Sequence, residues 1–296
     1  MKFRKYHGLG NDYLVISPVD LCQKLDEATI CQICHRNTGV GSDGILLGPF
    51  FPGSDDFVQI CKAAGISAEK AVSSLAALRI YNPDGSEAEK SGNGLRIFSR
   101  YMVDLGLAGA EPFRLNTLGG QVQAKVLDPQ NKIQVEMGKV SFFSKDIPVA
   151  GTPRDVLLEK ITLNGREFTF CAAGIGNPHC IVLCEDISPA LAREFGPLLE
   201  THALFPHKTN VQFLKVLDRH QIAIEIWERG AGYTLASGSS ACACAATAVK
   251  LGYCDSPVSI HMPGGILLTE IAADFSMTQT GPVKFVFEGD WNPKYN

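Results

Sequence analysis

Ser91-Gly-Asn-Gly-Leu-Arg-Ile-Phe-Ser-Arg100 is the stretch that decides the fold, because it predicts a helix whose first backbone amides are unpaired. A second copy follows as Ser237-Gly-Ser-Ser-Ala-Cys-Ala-Cys-Ala-Ala246. The unpaired N–H groups of a first helical turn attract anions, so two such ends facing one cavity would hold a carboxylate from both sides. The alternative is that Ser91 and Ser237 only cap two surface helices, which is the commonest role of serine there.

The two copies have the same neighbours at the same distances. The repeated intervals are nine residues from Asn82 to Ser91 and from Glu228 to Ser237, and fifteen residues from Ser91 to Gly106 and from Ser237 to Gly252. A Gly-x-Gly-Asn segment followed by an apolar run also occurs twice, at 8–16 and 174–183. Landmarks repeated in the same order indicate an internal duplication. We therefore expect an α+β fold of two pseudo-symmetric domains with the active-site cleft between them.

Turn residues place the domain boundary near Asp128-Pro129-Gln-Asn131, between two strand-like runs. The N-terminal half is then 1–128, completed by the tail 280–296, and the C-terminal half is 129–279. Residues 50–75 resemble an insertion of unassigned role with a short helix at 68–75.

Local patterns predict three further elements. A helix is expected from Asp26 to His35, and Asn164-Gly165 is typical of a hairpin turn. The spacing of apolar residues in the Ser91 helix predicts one buried face. That face is formed by Leu95, Phe98, Tyr101, Met102 and Leu105.

The composition indicates a globular cytoplasmic protein with a small-molecule partner. With 296 residues the chain suits two domains, and 45% hydrophobic residues supply their cores. A net charge of −4 gives no basic surface for nucleic acid or an acidic membrane. No signal peptide or membrane span is expected. The ten cysteines are expected to be reduced, and a lone Cys31-x-x-Cys34 before His35 is too little to predict a metal site.

At these motifs the sequence resembles the diaminopimelate epimerase family, the cofactor-independent isomerases that invert one α-carbon of diaminopimelate in the lysine and peptidoglycan precursor pathway. The motifs that carry the likeness are His7-Gly-Leu-Gly-Asn-Asp12, Asn82-Pro-Asp-Gly-Ser-Glu87, Gly92-Asn-Gly94, Gly176-Asn-Pro-His-Cys180, Glu228-Arg-Gly-Ala-Gly232 and Pro263-Gly-Gly265. The resemblance implies a β-sheet wrapped around a central helix in each domain, no metal or other cofactor, and a homodimer.

The resemblance also assigns roles to residues. Epimerisation needs a base that removes the α-proton, an acid that returns it, and donors for the charge that develops on the carboxylate. The resemblance places Ser91 and Ser237 at the two proton-transfer positions, with His179 and Glu228 beside them. The expected substrate-binding residues are Asn11, Asn82, Gly92, Asn93, Asn177, Asn210, Arg229, Gly238 and Ser239.

This chain departs from the family at the acid/base pair. The family has cysteines at the positions of Ser91 and Ser237, and commonly glycine at the position of Ser240. A thiol has a pKa near 8.5, whereas a serine hydroxyl normally needs an adjacent base. Cys242 is not expected to substitute, because it lies more than a helical turn beyond Ser237. Cys180 is not expected to substitute either.

Three explanations stay open for the paired serines. The first explanation is that the protein is an engineered double Cys→Ser variant, although Ser240 is a further difference with no evident purpose in such a design. Alternatively, it is a natural paralogue that uses Glu228, His179 or Glu87 as its base. The third explanation is a catalytically inactive paralogue that binds an amino acid-like ligand.

Overall fold

The computed structural model describes residues 1–129 and 131–292. These residues form two compact units, unit 1 (1–136 with 281–292) and unit 2 (137–280). The strands of the first part of the chain are β1 (Lys2–Gly8), β2 (Asn11–Ile16), β3 (Ile45–Phe50), β4 (Ala76–Tyr81), β5 (Glu87–Ala88), β6 (Phe113–Thr117), β7 (Gly120–Asp128) and β8 (Lys132–Lys139). Those that follow are β9 (Glu159–Leu163), β10 (Arg166–Gly174), β11 (Pro178–Leu183), β12 (Asn210–Asp218), β13 (Gln221–Glu228), β14 (Gly232–Thr234), β15 (Val258–Met262), β16 (Gly265–Ile271), β17 (Ser276–Gly281) and β18 (Lys284–Asp290).

The two units have the same strand order. In unit 1 the order is β18-β1-β2-β3-β4-β6-β7-β8, with β5 paired to β4. In unit 2 it is β9-β10-β11-β12-β13-β15-β16-β17, with β14 paired to β13. The parallel pairs are also equivalent, β2 with β3 and β4 with β6 in unit 1, and β11 with β12 and β13 with β15 in unit 2. The predicted duplication of an α+β fold is confirmed.

Each unit wraps its sheet around one helix. The helices are α1 (Glu27–Cys34), α2 (Asp55–Ala63), α3 (Ala68–Val72), α4 (Gly92–Asp104), α5 (Pro189–Glu200) and α6 (Gly238–Lys250). Helix α4 contacts β1, β2 and β7, and helix α6 contacts β10, β11, β12, β13, β15 and β16. Both begin after the predicted serine, and each ends before a glycine of positive φ, Gly106 and Gly252. A glycine of positive φ just beyond the last turn commonly ends a helix.

Four of the five residues predicted for the buried face of α4, namely Leu95, Phe98, Tyr101 and Met102, are buried, but burial is not confined to one face. Residues 92–99 are all buried, because the sheet surrounds the helix rather than covering one side. Leu105, assigned to the core from its spacing, is the C-cap residue and is 39% exposed.

Helix α1 and the hairpin turn at Asn164-Gly165 are confirmed. Asp26 caps α1 by accepting a hydrogen bond from the Thr29 amide, and both turn residues have positive φ, as a tight hairpin turn requires. Helix α2 was not predicted within the 50–75 segment. It packs Phe57, Ile60 and Cys61 into the unit 1 core, so this segment is part of the unit's core.

The predicted domain boundary falls where β7 ends at Asp128, shortly before β8 begins at Lys132. Residue 130 lies outside the described residues, while Asn131 donates backbone and side-chain hydrogen bonds to Asp128. The two compact units divide within β8, between Glu136 and Met137. A β-strand gives no turn signal in the sequence that could mark this division.

Among the described residues, no helix combines the length and apolar character needed to cross a membrane.

Candidate active site

In unit 1, Ser91 is the N-cap of α4. Its backbone is extended (φ −140°, ψ 119°), and its Oγ accepts a hydrogen bond from the Gly94 amide at 3.0 Å. The same Oγ lies 3.2 Å from the hydroxyl of Tyr13, a residue to which the sequence assigned no role. Glycine at position 44 makes room for this tyrosine, because a Cβ there would lie 2.7 Å from Tyr13 Cε1. Ser91 therefore has a titratable phenol as its hydrogen-bonding neighbour.

Two of the three predicted asparagines of unit 1, Asn11 and Asn93, are joined directly. Asn93, in the first turn of α4, donates from Nδ2 to Asn11 Oδ1 at 3.1 Å. Asn11 in turn donates from Nδ2 to Asp43 Oδ2 at 3.0 Å. Arg96, one turn further along α4 and fully buried, donates to Asn93 Oδ1. The structure thus brings Asn11, Asn93 and Ser91 to the same end of α4.

Behind these asparagines lies a cluster of charges. Arg36 contacts both Asp12 and Asp43 at 2.7 Å, and Lys5 contacts Asp12 at 2.8 Å. Burial and the nearby Asp12 charge raise the pKa of Asp43. Burial opposes ionisation of Asp12 as well, but hydrogen bonds from Arg36 and Lys5 outweigh it and lower the pKa of Asp12. The pKa directions differ because Asp12 contacts two cations, Arg36 and Lys5, whereas Asp43 contacts Arg36 alone and lies beside the Asp12 charge.

Two other unit 1 candidates are engaged elsewhere. Asn82 follows β4 and donates from Nδ2 to Ser86 Oγ at 3.0 Å within its own turn. Glu87, an alternative base, accepts two hydrogen bonds at 3.1 Å from Arg79.

In unit 2, Ser237 is the N-cap of α6 with nearly the same backbone as Ser91 (φ −145°, ψ 125°). Its side chain makes no capping hydrogen bond, unlike that of Ser91. Gly238 and Ser239 follow as the first helical residues, as the duplication predicts. The Ser237 hydroxyl is therefore not held by the helix that it begins.

His179 and the unexpected Ser240 each take part in a polar side-chain contact. Gln212 donates from Nε2 to Ser240 Oγ at 2.9 Å, and His179 Nε2 lies 2.8 Å from Asn177 Oδ1. Burial lowers the pKa of His179 to about 3, and a contact from the Gln212 side chain offsets only part of this. His179 is therefore neutral at physiological pH, and its proton is on Nε2, because Asn177 Oδ1 can only accept.

Three strands bring the remaining unit 2 candidates together. His179 on β11 is in register with Asn210 on β12, and Glu228 ends β13 beside them. Asn210 donates to the Pro178 carbonyl and accepts from the Arg229 amide, both at 3.0 Å. Glu228 accepts a hydrogen bond from Thr234 at 2.7 Å. The buried Glu200 accepts from the Gly230 amide at 3.1 Å and holds the turn that follows Glu228.

The cysteines do not provide a substitute thiol. Cys180 and Cys242 are fully buried, burial raises the pKa of Cys180, and Cys242 Sγ accepts from Gln279 at 3.4 Å. Of the Cys31-x-x-Cys34 pair, only Cys31 is exposed. Within the described residues, no group of three His, Cys, Asp or Glu side chains has a metal-binding arrangement.

Comparisons with known proteins identify the family of the chain. The family model "Diaminopimelate epimerase" matches residues 3–143 and 171–286. The chain is 57% identical over 290 residues to "Diaminopimelate epimerase 2" of Nostoc sp. strain PCC 7120, covering 98% of this chain and 95% of that protein. It is 36% identical over 296 residues to the "Diaminopimelate epimerase" of Moorella thermoacetica, covering 98% and 99%.

Solved structures of lower identity share the fold. A hydroxyproline epimerase from Agrobacterium vitis has a TM-score of 0.64 at 16% identity, covering 98% of this chain and 91% of that one. A phenazine biosynthesis protein from Bacillus anthracis has a TM-score of 0.63 at 12% identity, covering 98% of each chain. The fold is therefore one that occurs in epimerases and in proteins of phenazine biosynthesis.

Proposed function

Since this chain belongs to the diaminopimelate epimerase family, we propose that it interconverts LL- and meso-diaminopimelate by proton transfer at the α-carbon. The observation that carries the proposal is how the side-chain amides of four asparagines are hydrogen-bonded. The side-chain oxygens of Asn11, Asn93, Asn177 and Asn210 each contact a donor of the protein. Each amide keeps at least one N–H, so these residues suit a ligand rich in acceptor oxygens, such as a dicarboxylate.

In this proposal Ser91 and Ser237 occupy the family's two proton-transfer positions. Gly92 with Asn93, and Gly238 with Ser239, supply helix amides that stabilise the charge developing on the reacting carboxylate. Arg229, whose Nη1 donates to the His207 carbonyl at 3.2 Å, adds a positive charge for a carboxylate. Asn82 is proposed only as a peripheral contact, because its amide is bonded within its turn. No cofactor enters this chemistry.

The test is hydrogen exchange at the α-carbon. The protein is incubated with LL-diaminopimelate in heavy water, and proton NMR follows the α-hydrogen signal. We expect this signal to decay while meso-diaminopimelate containing α-deuterium accumulates. Saturable binding without any exchange would overturn the catalytic proposal.

That outcome would instead support the second candidate, a binding protein for an amino acid-like ligand. The observation that favours this candidate is the serine pair itself. Serine hydroxyls are poor bases without an activating partner, and the buried His179 has a pKa of about 3. Calorimetric titration with diaminopimelate measures the affinity whether or not exchange occurs.

We further propose that the protein is a cytoplasmic homodimer. Its ten cysteines are all free thiols, which suits a reducing compartment. Phe285, Val286 and Phe287 form a consecutive exposed apolar run on β18. Exposed apolar runs of this kind favour association with a partner surface.

The dimer proposal predicts that Val286→Glu lowers the molecular mass in solution to that of a monomer. Val286 is 47% exposed, so the charge should disturb association rather than folding. Val19→Glu is the matched control, since Val19 is 89% exposed and lies elsewhere in unit 1. Analytical ultracentrifugation measures the mass. A monomeric parent protein, or a dimeric Val286→Glu variant, would contradict the proposal for this surface.

A further inference from the structure

A row of four side chains in unit 1 begins at a cation and ends at an anion. The buried Arg96 donates to Asn93, Asn93 donates to Asn11, and Asn11 donates to Asp43. Asn93 is 4% exposed and Arg96 is 0% exposed, so water competes little for these bonds. We call these four residues the asparagine row. Every hydrogen bond in it runs in the same direction.

Its direction fixes both amide groups. An asparagine side chain has one acceptor oxygen and two N–H donors, and a 180° turn of the amide exchanges them. Turning Asn93 would set its N–H against the guanidinium of Arg96, which can only donate. Turning Asn11 would set its oxygen against the carboxylate of Asp43, which when ionised can only accept. The two charges therefore hold both amides in one orientation, and each keeps one N–H for a ligand.

Asp43 is itself held by contacts that do not involve the asparagines. Its Oδ2 also accepts from the Asp12 amide at 3.0 Å, and its Oδ1 accepts from Arg36 at 2.7 Å. These bonds keep the carboxylate in place at the end of the row.

In unit 2, the contacts of the two candidate asparagines, Asn177 and Asn210, are with backbone groups and a neutral histidine ring. Asn210 is held by the backbone of Pro178 and Arg229, and Asn177 contacts the neutral ring of His179. Removing a charge in unit 1 should therefore leave Asn177 and Asn210 unchanged. They serve as internal reference signals in the same molecule.

We propose that Asp43 and Arg96 are positioning residues that hold Asn11 and Asn93 as hydrogen-bond donors, so that unit 1 selects a carboxylate over a carboxamide in its ligand. The selectivity rests on the proposed function, whereas the orientation of the amides does not. A carboxylate offers only acceptors to the two N–H groups, but a carboxamide can present a donor and leave one of them unpaired.

The orientation is tested without a ligand, by NMR of protein labelled with nitrogen-15 at asparagine. The measured quantity is the hydrogen-exchange rate of each side-chain amide. We expect Asp43→Asn to accelerate exchange at Asn11 and Asn93 by at least about tenfold, because each buried hydrogen bond protects its donor. Asn177 and Asn210 should keep their rates. Unchanged exchange at Asn93 would overturn the proposal, because the effect must pass through Asn11 to reach it.

Asp12→Asn is the matched control. Asp12 shares Arg36 with Asp43 but contacts neither asparagine side chain. The Asp12→Asn variant should exchange the side-chain amides of Asn11 and Asn93 at rates within about twofold of those in the parent. If Asp43→Asn and Asp12→Asn accelerated side-chain amide exchange equally, the ion cluster would act only by stabilising the fold in general. That result would contradict the positioning role proposed for the asparagine row. Arg96→Met tests the other end, with the backbone amide spectrum showing whether α4 stays folded.

Selectivity is measured by competition between diaminopimelate and its two monoamides. We expect the parent to prefer diaminopimelate to one monoamide by at least about tenfold, and Asp43→Asn to reduce that ratio to near one. Asp12→Asn should retain it. If no ligand binds the parent, the proposed function fails, and the exchange measurement still decides the orientation. If Asp43→Asn bound these ligands with the same preference for diaminopimelate over the monoamide as the parent, the proposed origin of the selectivity would be overturned.

Discussion

We expect the double variant Ser91→Cys, Ser237→Cys to exchange the α-hydrogen of diaminopimelate faster than the parent by on the order of 10²–10⁴-fold, the range that general acid–base groups supply. A cysteine thiol has a pKa near 8.5, and an N-terminal helix position lowers it further, so a thiolate base becomes accessible at neutral pH. Both serines begin central helices with nearly the same backbone conformation. Proton NMR in heavy water measures the rate.

The single variants should separate exchange from epimerisation. Epimerisation uses one group to remove the α-hydrogen and a second to return it, so one thiol alone should increase exchange much more than inversion. Ser99→Cys is the thiol control, because Ser99 lies within the same helix α4 as Ser91 and bonds to the Leu95 carbonyl. The Ser99→Cys variant should not increase the rate of α-hydrogen exchange. A folded double variant as slow as the parent would contradict the assigned positions.

The stability of the single variants provides a second check on the two caps. Ser91 Oγ accepts a hydrogen bond from the Gly94 amide, whereas Ser237 makes no capping bond. Loss of a serine cap costs about 1 kcal/mol in the free energy of unfolding. Denaturant titration should therefore find Ser91→Cys destabilised by about this amount, and Ser237→Cys by less.

The repeated fold could be predicted because its signals are local. The serine that begins each central helix and the glycine that follows each one are fixed by capping chemistry, which is visible in a few residues. Their equal intervals then predict that two units share one strand order. A similar local signal was present for the missed α2, since Ser54 precedes two aspartates and Phe57, Ile60 and Cys61 follow at helical spacing.

The site was harder to predict because its contacts join distant residues. Tyr13 begins an apolar run and has the pattern of a core aromatic, so nothing local connects its hydroxyl to Ser91, 78 residues away. Asp43 lies in a glycine-rich loop that predicts only a turn or close backbone approach. Arg96 lies in the segment 91–100 that predicted helix α4. A charged residue in a helix is ordinarily expected to be exposed, but Arg96 is fully buried.

The two units differ in chemistry despite their common fold. In unit 1, Ser91 Oγ is shared between the Gly94 amide and the Tyr13 hydroxyl. In unit 2, Ser237 has no capping bond, and the strand that ends at Glu228 lies nine residues before it. A phenol is a better acid than base at neutral pH, while an ionised glutamate is a base. We therefore expect the unit 2 carboxylate, rather than a unit 1 group, to limit proton removal at low pH.

This difference leads to the second large effect, which is that Glu228→Gln should reduce α-hydrogen exchange by on the order of 10²–10⁴-fold. A carboxylate base works when deprotonated, so the parent rate should rise with pH to a plateau. Glu228→Gln should remove that dependence. The pKa of His179 is about 3, so most of its titration lies below pH 4, and a rate that still rises above pH 4 does not report on this ring. Exchange rates measured from about pH 3.5 to pH 8 give the profile, because an ordinary glutamate carboxyl titrates near pH 4.3.

Glu225→Gln is the matched control, because Glu225 lies on the same strand and also accepts a hydrogen bond from β14, from Tyr233 at 2.6 Å. It should keep both the rate and the pH profile. His179→Gln should lower the rate but keep the rise with pH, since the neutral ring acts by holding Asn177. If the rise vanished in His179→Gln and persisted in Glu228→Gln, the base would be the histidine, and the assignment of the carboxylate to proton removal would be wrong.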